Sequence, residues 1–146
     1  MISLIQRVTE ASVHVDGELV GAIGPGLLAL VAVEPADGET QARRMLERLL
    51  GYRVFSDAEG RMNRSLVDTG GGLLLVPQFT LAADTRKGMR PSFASAASPE
   101  HGRQMFARLL ELAQVAYPGV EKGRFGAHMK VSLINDGPVT FRLLAR

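Results

Sequence analysis

"MKVSLINDGPVTFRLL", Met129 to Leu144, is the stretch on which the fold turns. Apolar residues alternate with polar ones in "MKVSLI" before the break and in "VTFRLL" after it, the period-2 pattern of half-buried strands. Between them stand Asn135, Asp136, Gly137 and Pro138, four residues that interrupt strands. A two-residue hairpin needs only Asn-Gly or Asp-Gly, so a proline directly after the glycine is surplus. The residues predict two strands, "RFGAHMKVSLI" and "PVTFRLLA", on either side of this break. Glycine before proline permits close approach of the backbone to something else. About one X-Pro bond in twenty is cis, so the physics of the sequence leaves the isomer open. The same dipeptide at Gly24-Pro25 reads as an ordinary turn.

At the N-terminus, "MISLIQRVTEASVHV" alternates as a strand and "VDGELV" is an Asp-Gly hairpin turn. "LLALVAV" is a continuous apolar run, the pattern of a buried strand. Residues 39–50, "ETQARRMLERLL", place Ala42, Met45, Leu46, Leu49 and Leu50 at helical spacing, with Gly51 as a candidate cap. "YRVFSD" predicts a short strand before the turn "DAEG". "LLLVPQFTL" is a second buried strand, interrupted at Pro77. Residues 82–97 are small, polar and basic without a period, a loop long enough to be functional. Ser98 and Pro99 open a second helix as N-cap and first residue, running to about Ala116 and ended by "YPGVEKG". The order of elements predicts an α/β fold with a mixed, largely antiparallel sheet and two main helices. Hairpins at both ends argue against a doubly wound parallel sheet.

The 146 residues suit a single domain, 1–146, and the 46% hydrophobic content suits a packed core. The chain has no cysteine, which removes thiolate chemistry and Cys-based zinc sites and fits a cytoplasmic home. No apolar run approaches the length of a membrane span, and the N-terminus lacks a signal-peptide pattern. The net charge of +2 is no polycation, yet its basic residues are mostly arginine, which suits bidentate phosphate contacts.

There is no Gly-x-Ser-x-Gly elbow, no His-Glu-x-x-His and no P-loop. His14, His101 and His128 are isolated and read as packing or surface residues. No metal or cofactor is expected. Pro77 and Gln78 break a buried strand because proline removes a ladder donor. The interruption exposes the N–H groups of Phe79 and Thr80 beside the Thr80 hydroxyl. On these residues alone, an edge-strand bulge without chemistry and a binding site remain equal readings.

"VPQFTL" together with "NDGPVT" resembles the paired signature of the D-aminoacyl-tRNA deacylases. The likeness extends through "QRV" at Gln6–Val8, "GLLALVAV", "GYRVFSD", "GRMNRSL", "FTLAADTRKGMRPSF" and "FGAHMKVSLINDGPVTF", in order and spacing. It implies a barrel-like sheet and a homodimer with active sites at the subunit interface. The activity implied is hydrolysis of the ester between a D-amino acid, or glycine mischarged on tRNA-Ala, and the terminal adenosine of tRNA, with L-aminoacyl-tRNA spared. Gly137-Pro138 matches the family's Gly-cis-Pro motif, which one subunit inserts into the other's pocket to inspect the chiral carbon. "PQFTL" matches the pocket floor, with Gln78, Phe79 and Thr80 as catalytic residues. Arg7 matches an arginine that fixes the inserted dipeptide, and Pro77, Met129 and Asn135 fall among the substrate-binding positions. Arg86, Lys87, Met89 and Arg90 are the expected tRNA contacts. Position 77 is usually serine in relatives with this motif. With proline here, a serine hydroxyl is not essential, and any oxyanion hole comes from residues after it.

Two mechanisms compete on these residues. A Thr80 nucleophile needs a base, and none lies near it in sequence except Asp84, in the loop. A backbone site needs only the Phe79 and Thr80 N–H groups, with water or the adenosine 2′-hydroxyl moving the proton. A non-catalytic RNA-binding module is the rival reading.

Overall fold

The first strand, β1 (Ile2–Val15), is the spine of the sheet: it pairs along one edge with one long strand and along the other with two short ones. The computed structural model describes residues 1–146. The turn after β1, Asp16-Gly17, has both residues at positive φ, 49° and 79°, as the hairpin to β2 (Glu18–Ile23) requires. A bend through Gly24-Pro25 leads to β3 (Gly26–Ala32), antiparallel to the first half of β1. Helix α1 (Glu39–Gly51), the small pair β4 (Phe55–Ser56) and β5 (Met62–Arg64), and the single turn α2 (Leu66–Thr69) cross over to β6 (Gly72–Pro77), parallel to β3. A 3-10 turn (Phe79–Ala82), the expected loop and α3 (Pro99–Ala116) cross over to β7 (Val120–Lys122), parallel to β6. The final strand is β8 (Lys130–Leu144).

The sheet order is β2-β1-β3-β6-β7 with β8 along β1, a mixed sheet curled almost into a barrel. Its ends nearly meet because Gly21 on β2 has no side chain: a Cβ there would stand 2.4 Å from the Lys122 carbonyl oxygen on β7. The central strands are buried on both faces, which is why they read as continuous apolar runs. Leu27, Ala29, Val31, Leu73 and Leu75 face the helices, packing on Met45 and Leu49 of α1 and Phe106, Leu109 and Ala113 of α3. The alternate residues Leu28, Leu74 and Val76 face inward with Val8, Ala11 and Val13. Each fully buried leucine contributes about 1.5–3 kcal/mol by leaving water. Arg108 of α3 grips Glu39 of α1 with two hydrogen bonds, 2.7 and 2.8 Å, and pins the helices together. No helix is long and apolar enough to cross a membrane.

Four sequence expectations change. The two C-terminal strands are one, antiparallel to β1 from Ile2↔Leu144 to His14↔Lys130. "NDGP" is therefore no hairpin turn. Between Gln6 and Val8 on β1 the partner moves from Thr140 to Asn135, and the surplus residues bulge outward. The strand over "LLLVPQFTL" stops at Pro77 instead of resuming, because the chain coils into the 3-10 turn. "YPGVEKG" does more than end a helix: its last residues form β7. Gly51 lies inside α1, and Tyr52 caps it through its N–H to the Arg48 carbonyl.

Candidate active site

The strand β6 stops where proline withdraws its N–H, and the chain turns at once. The Gln78 N–H still reaches across to the Val31 carbonyl at 2.7 Å, so Gln78 is anchored to the sheet. The turn that follows is held by Leu81 N–H to Gln78 O, 3.2 Å, and Ala83 N–H to Thr80 O, 3.1 Å. The N–H groups of Phe79 and Thr80 are thus the leading donors of a helical turn, without partners inside it. Phe79 is 60% exposed, its ring 5.0 Å from that of Phe93. Thr80 is exposed, and its hydroxyl oxygen accepts from the Gln78 side-chain amide.

Pro77, Gln78 and Phe79 form one wall of a largely apolar pocket of about 430 Å³. Phe125 to Met129 and, from α3, Gly102 and Phe106 complete the lining. Only one titratable side chain lines it, His128, which is exposed and makes no hydrogen bond that would orient its ring. His101 is spent elsewhere, its Nε2 2.9 Å from the Asp37 carbonyl oxygen. Asp84, the acid nearest Thr80 in sequence, is bound by Arg86 through both carboxylate oxygens, 2.9 and 2.6 Å. Those hydrogen bonds hold its carboxyl far below the usual carboxylate range, so Asp84 is a committed anion and a poor base. No three His, Asp or Glu side chains converge to hold a metal ion.

A second group of expected residues lies away from this pocket. Gly137 and Pro138 are exposed at the tip of the β8 bulge, and their peptide bond is cis, as the resemblance implies; Gly24-Pro25 is not cis. The bulge is stapled from within. Asn135 Nδ2 donates to the Arg7 carbonyl at 3.0 Å and to the Val139 carbonyl at 2.9 Å. Arg7 donates from Nε to the Asp136 carbonyl at 3.0 Å and from Nη1 to the Val54 carbonyl at 2.8 Å, all in its own chain. Neither Gly137, Pro138, Arg7 nor Asn135 lines the apolar pocket.

The third group, Arg86 to Arg90, is an exposed loop whose tip carries Met89, fully exposed. Arg86 is neutralised by Asp84, which leaves Lys87 and Arg90 as the loop's free cations. The structure thus brings Pro77, Gln78, Phe79 and Met129 together with Thr80 alongside, and leaves the other two groups apart. Sequence reasoning missed Phe106, Gly102, Phe125 and His128 as pocket walls. Of these the last two lay in the stretch "FGAHM"; Phe106 stands on the apolar stripe of α3, a pattern that marks a packed face and not a pocket, and Gly102 carries no local signal.

The family model described as D-Tyr-tRNA(Tyr) deacylase matches residues 4–144. A D-aminoacyl-tRNA deacylase of Stenotrophomonas maltophilia (strain K279a) is 69% identical over 144 residues, covering 98% of this chain and 99% of the relative. One from Alkalilimnicola ehrlichii is 69% identical over 146 residues, covering 100% and 97%. Among solved structures, the c-Myc DNA Unwinding Element Binding Protein superposes with a TM-score of 0.95 at 36% identity, covering 100% of this chain and 99% of the other. A probable eukaryotic D-amino acid tRNA deacylase gives 0.81 at 18% identity over 97% and 98%, a likeness of fold. The chain belongs to the D-Tyr-tRNA(Tyr) deacylase family.

Proposed function

We propose that the protein hydrolyses the ester between a D-amino acid, or glycine, and the terminal adenosine of tRNA, and spares L-aminoacyl-tRNA. The observation that carries this reading is the open start of the 3-10 turn, with Phe79 in the wall of an apolar pocket, Thr80 next to it and no oriented base beside them. In the pocket the ester carbonyl oxygen takes the Phe79 and Thr80 N–H groups as charge develops on it. Fixed donors of this kind contribute on the order of 100- to 1,000-fold each. Water adds to the carbonyl carbon, the bond to the adenosine oxygen breaks, and the proton passes to that oxygen through solvent or the neighbouring 2′-hydroxyl. The products are the free amino acid and tRNA.

Chirality is judged by exclusion. The Gly137-Pro138 pair is stapled and exposed but absent from its own chain's pocket, which suits a second copy presenting it there. A homodimer also covers the outer edge of β8, which has no partner within the chain. Carbonyls of the inserted pair beside Cα leave room for hydrogen on one side only. An L side chain clashes, a D side chain points outward, and glycine passes. The loop from Arg86 to Arg90 meets the tRNA, with Lys87 and Arg90 free to contact phosphate. A cytoplasmic location follows from the substrate.

A nucleic-acid-binding module without catalysis is the second reading, favoured by the name of one structural neighbour and by the exposed cations. Incubation with D-Tyr-tRNA and L-Tyr-tRNA separates the two. The enzyme reading expects ester loss from the D form far above buffer and none above buffer from the L form. Loss no faster than buffer from both would leave the binding reading standing.

A further inference from the structure

Beside the pocket, over one of its lining residues, stands an arginine that no carboxylate in the chain neutralises. Arg103 follows Gly102 on α3, and its guanidinium carbon lies 4.8 Å from the centre of the Phe125 ring. Both Gly102 and Phe125 line the pocket. Gly126, also a lining residue, leaves the guanidinium its place: a Cβ there would stand 3.4 Å from Arg103 Nη2. Arg108, farther along the same helix, is consumed by Glu39 and Glu111. Arg103 is exposed and has no carboxylate partner; it is held by the ring instead.

A guanidinium laid over an aromatic ring has its rotamers restricted while its edge N–H donors stay free. That is a preorganised anion site, since part of the ordering cost is met before the anion arrives. We propose that Arg103 binds a phosphate of the single-stranded 3′ end of tRNA while the terminal adenosine occupies the pocket beside Phe125. The proposal rests on the reading of the pocket given under the proposed function. It assigns Arg103 to tRNA binding and leaves the ester chemistry at Phe79 and Thr80.

The test compares two substrates of one ester, D-Tyr-tRNA and D-tyrosyl adenosine, which has no phosphate. Arg103→Met keeps an apolar stem on the ring and removes the charge. The kcat/KM for D-Tyr-tRNA should fall about tenfold, the scale of one lost charge-assisted contact. Its dependence on salt in log–log form should become shallower by about 0.7. D-tyrosyl adenosine should be cleaved as by the wild type, which also shows that the variant is folded. Arg103→Lys, which keeps the charge, should lie between. Equal losses on both substrates, no loss on D-Tyr-tRNA, or an unchanged salt slope would overturn the proposal. Failure of the wild type on both esters is a different result, and it would sink the functional reading itself.

Discussion

Gly137→Ala is the sharpest perturbation of the bulge, and Gly24→Ala is its natural control. Gly137 has φ +141°, a conformation that side chains with a Cβ rarely adopt. An added Cβ would stand 2.6 Å from Val139 Cγ2, 2.9 Å from the Val139 nitrogen and 3.3 Å from Arg7 Nη2. Valine is stiff about χ1 and the nitrogen is main chain, so the bulge itself must move. Such strain costs of order 1–3 kcal/mol, and an exposed bulge can relax toward the low end, about 1–2 kcal/mol. At this chain length that lowers Tm by about 3–8 °C. Activity should suffer more than stability. A misplacement of about 1 Å costs roughly 100-fold in rate, and that loss is expected in kcat/KM for D-Tyr-tRNA. At Gly24 an added Cβ meets nothing within 4 Å, so Gly24→Ala should leave activity unchanged. Initial rates of ester loss and a thermal melt check both variants. Equal activity for the two would refute the assignment of Gly137-Pro138 to the site.

The backbone mechanism makes side chains expendable and the two N–H groups indispensable. Thr80→Ala and His128→Gln should each keep kcat within about tenfold, since neither removes a backbone donor; a thousandfold loss from Thr80→Ala would restore the nucleophile. Phe79→Pro deletes the N–H at the start of the turn and should lose on the order of 100- to 1,000-fold relative to Phe79→Ala, which keeps it. The bond between α1 and α3 makes a prediction in pH. Hydrogen bonds from Arg108 lower the Glu39 carboxyl from 4.5 to about 2 in the folded state, so its contribution is present in full above the unfolded value and lost as pH falls toward 2. The Tm difference between wild type and Glu39→Gln should be constant above about pH 5 and vanish near pH 2; a gap that persists in acid would contradict it.

What the sequence discloses is local. The Asp16-Gly17 hairpin, the buried stripe of Ala42, Met45, Leu46 and Leu49, and the Ser98-Pro99 helix start are each encoded within a few residues, and each forms as read. The strand β7 has no pattern of its own; Val120–Lys122 is a strand only because β6 lies alongside. The turn α2 did have a signal, the capping pair Ser65 and Asp68, which a search for apolar periods passes over. The continuity of β8 was hidden because Asn, Asp, Gly and Pro break strands in isolation, whereas β1 pairs on both sides of the break and spans it. The candidate site divides the same way. Pro77 to Thr80 were legible because a proline in an apolar run is a local anomaly. Phe106 and Gly102 reach the pocket, and Arg103 the Phe125 ring beside it, through helix docking, which no short stretch records.

In the proposed dimer each working site takes its 3-10 turn from one chain and its Gly-Pro pair from the other. Mixing Phe79→Pro chains with Gly137→Ala chains, after dissociation and reassociation, tests it directly. Each variant alone should be nearly inactive on D-Tyr-tRNA. In a mixed dimer one site combines an intact turn with an intact bulge, so an equal mixture should regain about a quarter of the wild-type rate by random pairing of a two-fold dimer. A mixture no more active than its components would show that turn and bulge do not meet across subunits.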